Sequence, residues 1–286
     1  MCWIIYLGVI FILVLIFTYQ IFLLLEEKIL FVPIREHIWS PPESSYRELF
    51  FSQLHAWYFQ QASRPPVVLF CHGNTGNISH RKYVIDLCHA INLSLFIFDY
   101  RGYGKSQGRA TIDSICHDGE VAYNYLREMG YQPNEIIIWG ESLGGLIATH
   151  VAAKYPCSRL LLMATFADLS SLARDNSSLI GKMVYPFLLL QGDSNIDKIK
   201  HVSAPILIIH SEEDEIIPYQ HGQRLYQAIT HSWKAFLTIK GCHASPQLTS
   251  DVIEDVMRFC WQEPRITPAC LDILTYVARS NVKHGK

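Results

Sequence analysis

The tightest restriction on the fold comes from five residues, Gly140-Glu141-Ser142-Leu143-Gly144. They follow a short apolar run at 136–139 and open a helix-length segment at 144–154, which Pro156 stops. A G-x-S-x-G sequence in that setting reads as a tight strand-to-helix turn. Such a turn strains the backbone of its central residue, and glycines two places away on either side keep neighbouring segments from clashing. The Ser142 hydroxyl then stands clear of a sheet. The helix behind it aims its positive end at the same place, where the Leu143 N–H can donate to an oxyanion.

A turn of this kind needs a parallel sheet around it, and the rest of the chain has that rhythm. Short apolar runs rich in β-branched and aromatic residues lie at 67–70, 93–98 and 136–139, and helix-length segments at 81–91, 114–129 and 144–154. Further strands are expected at 159–163, 206–209 and 235–239, and alternating stretches at 46–51 and 55–60 read as an opening antiparallel hairpin. The expected fold class is α/β, a mostly parallel sheet with helices on both faces. No internal repeat or low-complexity tract marks a second domain. One insertion, about 164–202, carries an apolar stretch at 179–191 broken by Tyr185-Pro186. It reads either as a packing helix pair or as a small cap over an apolar pocket. The layout is a segment at 1–25, a Pro-punctuated connector at 26–44, a main domain at 45–264 and a tail at 265–286 with a helix at 268–279.

No residue from Met1 to Leu25 is charged. About twenty apolar residues span a bilayer core as a helix, so this segment is expected to be a single transmembrane anchor. A cleaved signal would begin with basic residues and end in small ones, whereas this run begins Met1-Cys2-Trp3 and ends before Glu26-Glu27. The nearest basic residues, Lys28 and Arg35, follow it, which leans the main domain toward the cytosol. Of three Asn-x-Ser sequons, at Asn77, Asn92 and Asn176, the first falls in a loop assigned to the site, which leans the same way. The eight cysteines lack the short paired spacings of zinc sites and read as mostly reduced, buried thiols. With 24 basic and 26 acidic side chains and no block of either sign that would suggest nucleic acid or an acidic tail, nucleic acid is set aside as a partner.

A serine nucleophile needs a base, an acid and oxyanion donors at the same sheet edge. If the order is Ser, acid, His, the base comes last, and Gly241-Cys242-His243 follows the final strand. The acid should follow the preceding strand, where Asp214 stands among Glu212, Glu213 and Glu215. The loop His72-Gly73-Asn74-Thr75-Gly76-Asn77 follows the run ending near Cys71, so the Asn74 N–H joins that of Leu143 as a donor. His72 itself is read as shaping that loop. The block 99–106 imitates nucleotide motifs but fails both: Asp99 stands where a P-loop needs Gly, and the glycine spacing is one residue too long for a dinucleotide loop.

Five blocks, 72–77, 98–106, 140–145, 208–218 and 241–243, make residues 30–261 resemble the alpha/beta-hydrolase superfamily, in particular its membrane-anchored, small-capped serine hydrolases related to protein depalmitoylases and monoacylglycerol or lysophospholipid lipases. The resemblance implies Ser142, Asp214 and His243 as a catalytic triad with Asn74 and Leu143 at the oxyanion hole. It implies an ester or thioester hydrolase acting on a hydrophobic acyl substrate at a membrane. No metal or organic cofactor is called for, since nucleophile, base and fixed dipoles complete the chemistry. An amidase or peptidase remains open, as does a catalytically idle membrane scaffold. Two positions depart from the family pattern, Ser211 and Cys242, where glycine is usual. The sequence does not speak to oligomeric state.

Overall fold

The computed structural model describes residues 2–61, 66–175 and 194–261. In chain order the strands are β1 (Val32–Pro33), β2 (Arg47–Phe51), β3 (Leu54–Phe59), β4 (Val67–Cys71), β5 (Thr75–Gly76), β6 (Ser94–Asp99), β7 (Ile136–Glu141), β8 (Arg159–Met163), β9 (Ile206–Ser211) and β10 (Lys234–Ile239). The helices are α1 (Cys2–Leu30), α2 (Lys82–Ala90), α3 (Ile112–Glu128), α4 (Gly144–Lys154), α5 (Leu169–Asp175), α6 (Asn195–Ile199), α7 (Gln220–Ala228) and α8 (Ser250–Trp261).

Eight strands form one sheet in the order β10-β9-β8-β7-β4-β6-β3-β2. Neighbours from β10 to β6 run parallel, while β3 is antiparallel to both β6 and β2. The central strands are continuous apolar runs because each serves two cores at once. In β4, Val67, Leu69 and Cys71 enter one core and Val68 and Phe70 the other; in β7, Ile136 and Ile138 face away from Ile137 and Trp139. The first core packs against α3 and α4, the second against α2 and α8. Because the parallel strands end together, the turns after β4, β7, β9 and β10 gather along one edge of the sheet.

The α/β architecture and mostly parallel sheet expected from the sequence are present, with strand and helix ends moved by a residue or two. Helices α7 and α8 fall in stretches left unassigned above. In α8 the signal was there: Ile253, Val256, Met257 and Cys260 recur at helical spacing and are all buried. The short parallel pair of β1 with β5 was not foreseen, since no apolar pattern marks either strand. The apolar stretch at 179–191, the middle of the expected cap at 176–193, the Asn176 sequon and the tail helix at 268–279 lie outside the described residues.

Helix α1 runs to Leu30, beyond the boundary drawn at residue 25. Among the described residues no helix is long and apolar enough to cross a membrane, so the transmembrane anchor does not stand as an observation. What stands is a helix presenting Phe11, Leu13 and Phe17 to the outside. The cysteines whose side chains are described, Cys71, Cys88, Cys116, Cys157, Cys242 and Cys260, are all free thiols. Burial pushes the thiols of Cys157 and Cys260 up to about 12.

Candidate active site

Ser142 sits between β7 and α4 with a backbone φ of +54°, in the left-handed region that side chains rarely adopt. Its N–H donates to the Met163 carbonyl at 3.0 Å. Its own carbonyl accepts from the Gly145 N–H at 3.0 Å and from the Thr165 hydroxyl at 2.7 Å. These bonds tie the turn to the segment leaving β8. Glycine at 144 is a matter of space: a Cβ there would stand 1.9 Å from the Cys71 carbonyl oxygen. The helix thus starts directly against the end of β4.

Three side chains from separate loops meet at this turn. His243 Nε2 lies 3.1 Å from Ser142 Oγ, and His243 Nδ1 lies 2.8 Å from Asp214 Oδ2. The other Asp214 oxygen accepts the N–H groups of Ile216 at 3.0 Å and Ile217 at 2.8 Å. Burial works to raise the Asp214 carboxyl, but the His243 hydrogen bond and the loop N–H groups outweigh it and hold the group below its ordinary range. Burial likewise pulls the His243 imidazole down, and the Asp214 hydrogen bond and charge lift it above its ordinary value. The arrangement suits a ring that takes a proton on Nε2 while a carboxylate fixes Nδ1 as the donor.

The competing acids have other partners. Glu213 accepts the Gly241 N–H at 2.8 Å and Glu215 accepts the His243 N–H at 3.0 Å, while Glu212 is exposed. Ser211, one of the departures from the family pattern, donates its hydroxyl to the Gly241 carbonyl and accepts from the Glu213 N–H at 3.0 Å. A glycine there would make neither side-chain bond. Cys242, the other departure, points to solvent.

The loop after β4 abuts Ser142, since a Cβ built on Gly73 would stand 3.4 Å from that of Ser142. Among the described residues the N–H groups of Leu143 and Asn74 have no hydrogen-bond acceptor. Both are free to receive negative charge. His72 is fully buried, with Nδ1 donating to the Gly73 carbonyl at 2.7 Å and the ring stacked on Tyr100. Burial lowers it to about 4, so it shapes the loop as a neutral ring. The block 99–106 is a turn, as read: the Ser106 hydroxyl returns to the Asp99 carbonyl at 2.6 Å. Thr165 and the Glu213 and Glu215 clamps were missed as site residues. Their roles are backbone contacts across loops, which leave no spacing signal in the sequence.

One cluster has the composition of a metal site. His37, His55 and Asp99 bring ligand atoms within 4.8 Å of one another. Both His55 nitrogens, however, already face carboxylates, Asp99 at 2.9 Å and Glu48 at 2.8 Å. Asp99 also accepts the Ile78 N–H at 2.9 Å. Burial works to raise its carboxyl, and the neighbouring His37 and His55 hold it well below the usual range. The cluster reads as a buried hydrogen-bonded network under the 99–106 turn.

A family model described as Serine aminopeptidase, S33 matches residues 62–197, a stretch that contains Ser142 and ends before Asp214 and His243. The chain is 32% identical over 218 residues to an uncharacterized protein of Mycobacterium tuberculosis, covering 72% of this chain and 74% of that one. It is 31% identical over 198 residues to the human alpha/beta hydrolase domain-containing protein 17B, covering 68% of this chain and 66% of the relative. Among solved structures, an esterase of Pyrococcus furiosus aligns with a TM-score of 0.66 at 18% identity, covering 81% of this chain and 97% of the esterase. At that identity the likeness shows the fold.

Proposed function

The chain belongs to the alpha/beta-hydrolase superfamily, and on that premise we propose that it is a serine hydrolase cleaving an ester or thioester through an acyl-enzyme on Ser142. The observation that carries this reading is the unbroken hydrogen-bond chain from Ser142 through His243 to Asp214. His243 Nε2 takes the Ser142 proton as Oγ attacks the carbonyl carbon, and the new oxyanion accepts from the N–H groups of Leu143 and Asn74. The imidazolium then protonates the leaving alcohol or thiol. Water, deprotonated by the same ring, releases the acid and restores Ser142.

For the substrate, we propose a hydrophobic acyl chain carried by a lipid or lipidated protein at a bilayer. Helix α1 supports this, because apolar side chains such as Phe11, Leu13 and Phe17, each more than half exposed, are stable only when covered. Lipid is the cover chosen here, with α1 as a single-pass anchor. Lys28 in the last turn of α1 and Arg35 beyond it favour a cytosolic catalytic domain. Asn77 agrees, being buried with its amide donating to the Ile34 and Glu36 carbonyls, where no glycan fits. The insertion at 164–202 is taken as a small cap lining the acyl pocket.

The family model's description favours a second reading, peptide cleavage by the same residues. One experiment separates them: kcat/KM for p-nitrophenyl esters from acetyl to octanoyl, a matching thioester series, and aminoacyl p-nitroanilides. Each methylene buried adds about 0.8 kcal/mol, so an acyl pocket gives a steep rise with chain length. A flat profile with turnover confined to the anilides would replace the acyl reading with the peptidase one.

A further inference from the structure

We infer that the Asn74 side chain is a positioning residue that locks the oxyanion loop to the segment leaving α1, so that the helix exit and the loop move as one unit; the catalytic part of this rests on the serine-hydrolase reading above. Asn74 has two separable jobs. Its backbone N–H is free, while both the oxygen and the nitrogen of its amide are engaged elsewhere. Oδ1 accepts the Tyr103 hydroxyl at 2.7 Å and the Val32 N–H at 3.2 Å, and Nδ2 donates to the Leu30 carbonyl at 2.9 Å.

Leu30 is the last residue of α1, and its carbonyl is one of those a helix end leaves without an intrahelical partner. Asn74 therefore caps the helix from the catalytic side. The residues that follow continue the join. Val32 and Pro33 pair with Thr75 and Gly76 as β1 and β5, and the Ile34 N–H donates to the Gly76 carbonyl at 3.3 Å. The Ile34 carbonyl accepts from the Gly104 N–H at 3.0 Å and from the Asn77 amide at 2.9 Å. Phe31, between the helix end and β1, is buried in the core beside α3 and α4. This strap is bonded to the loop at each end.

The direction of the Asn74 N–H depends on the orientation of its peptide, and the side chain is what sets the residue against Leu30, Val32 and Tyr103. Arg81 steadies the same loop by donating to the Thr75 carbonyl at 2.7 Å, so loss of the Asn74 amide loosens the donor without removing it. Complete loss of an oxyanion donor costs about 100- to 1000-fold in kcat, and a loosened one should cost about ten- to a hundredfold.

The test uses full-length protein in detergent micelles carrying Asn74→Ala, Asn74→Asp or Tyr103→Phe. Asn74→Asp keeps the acceptor for Val32 and Tyr103 but loses the donor to Leu30; Tyr103→Phe removes one bond and guards against a misfolded Asn74→Ala. The readouts are kcat and KM on p-nitrophenyl octanoate, affinity for a trifluoromethyl ketone that forms an oxyanion on the serine, and amide hydrogen exchange across the chain, including 31–34 and 72–79. The expected result is a fall in kcat and in ketone affinity by the same factor, KM within about twofold, and faster exchange confined to 31–34 and 72–79. Unchanged kcat and unchanged exchange in Asn74→Ala would overturn the inference. Should the unmodified protein hydrolyse nothing, the exchange still decides: lost protection upholds the coupling and leaves the hydrolase reading to fail alone, and retained protection rejects the coupling.

Discussion

Glu215 accepts the backbone N–H of His243 at 3.0 Å, so the acidic loop after β9 holds the main chain of His243 as well as its ring. With Glu213 on the Gly241 N–H and the Ser211 hydroxyl on the Gly241 carbonyl, two short loops become one clamped unit. Of the four acids in that loop, Asp214 is the one hydrogen-bonded to the imidazole.

That division of labour predicts unequal losses. Asp214→Asn should lower kcat on a p-nitrophenyl ester by about four orders of magnitude, because the amide favours the wrong tautomer of His243. Glu213→Gln and Glu215→Gln keep an acceptor oxygen for the same N–H groups and should each cost less than about tenfold. Ser142→Ala or His243→Ala should cost about a million-fold with the fold intact by circular dichroism. A Glu215→Gln enzyme more damaged than Asp214→Asn would move the acid to Glu215.

The pH profile follows from His243. Its imidazole is held above its ordinary 6.5, and it serves as base only when neutral, so kcat/KM should fall with acid around a midpoint above 6.5. Asp214→Asn should move that midpoint down. Stability runs the other way for this group: its contribution is full below pH 6.5 and disappears as pH rises through the folded value. Asp214, held below its ordinary 3.8, contributes stability present above that value and lost as pH falls through the folded one. Kinetic titration and urea melts across pH 3–9 separate the two trends.

Gly144→Ala should be among the most damaging single-methyl changes in the chain. The new Cβ would stand 1.9 Å from the Cys71 carbonyl oxygen, which is backbone of a central strand and has nowhere to go. A loss of about 3 kcal/mol or more, or failure to fold, is expected. Thermal melts of Gly144→Ala beside Gly8→Ala, where nothing lies within 4 Å, supply the contrast.

If α1 is the anchor, the full chain should stay with membranes through an alkaline carbonate wash, and removal of residues 1–25 should release it. The cut leaves the strap from Leu30 onward in place, so the released protein should keep turnover on short soluble esters. Full-length protein in the soluble fraction would remove the anchor from the reading.

What the sequence made legible was whatever repeats or alternates. Val67, Leu69 and Cys71 against Val68 and Phe70 announce a strand buried on both faces, and the elbow at Ser142 announces the strand-to-helix turn behind it. Chain order was enough to nominate His243 and to limit the acid to four neighbours. Asp214 was preferred to Glu212, Glu213 and Glu215 on the family resemblance; the direction of each side chain, which consecutive acids in a loop do not encode, is seen only in the structure. The bond from Asn74 to Leu30 was invisible for a related reason, since a polar side chain meeting a carbonyl far away in sequence has no periodicity.

The φ of +54° at Ser142 sets two demands on the gene against each other. A side chain in that conformation costs about 1–2 kcal/mol, a sizeable part of the roughly 5–15 kcal/mol by which folded domains exceed their unfolded state. Glycine would relieve the strain and, on the proposed mechanism, remove the nucleophile in the same step. Selection for heat tolerance alone would drift position 142 toward an inert protein, so any programme to harden this fold has to screen for turnover in every round.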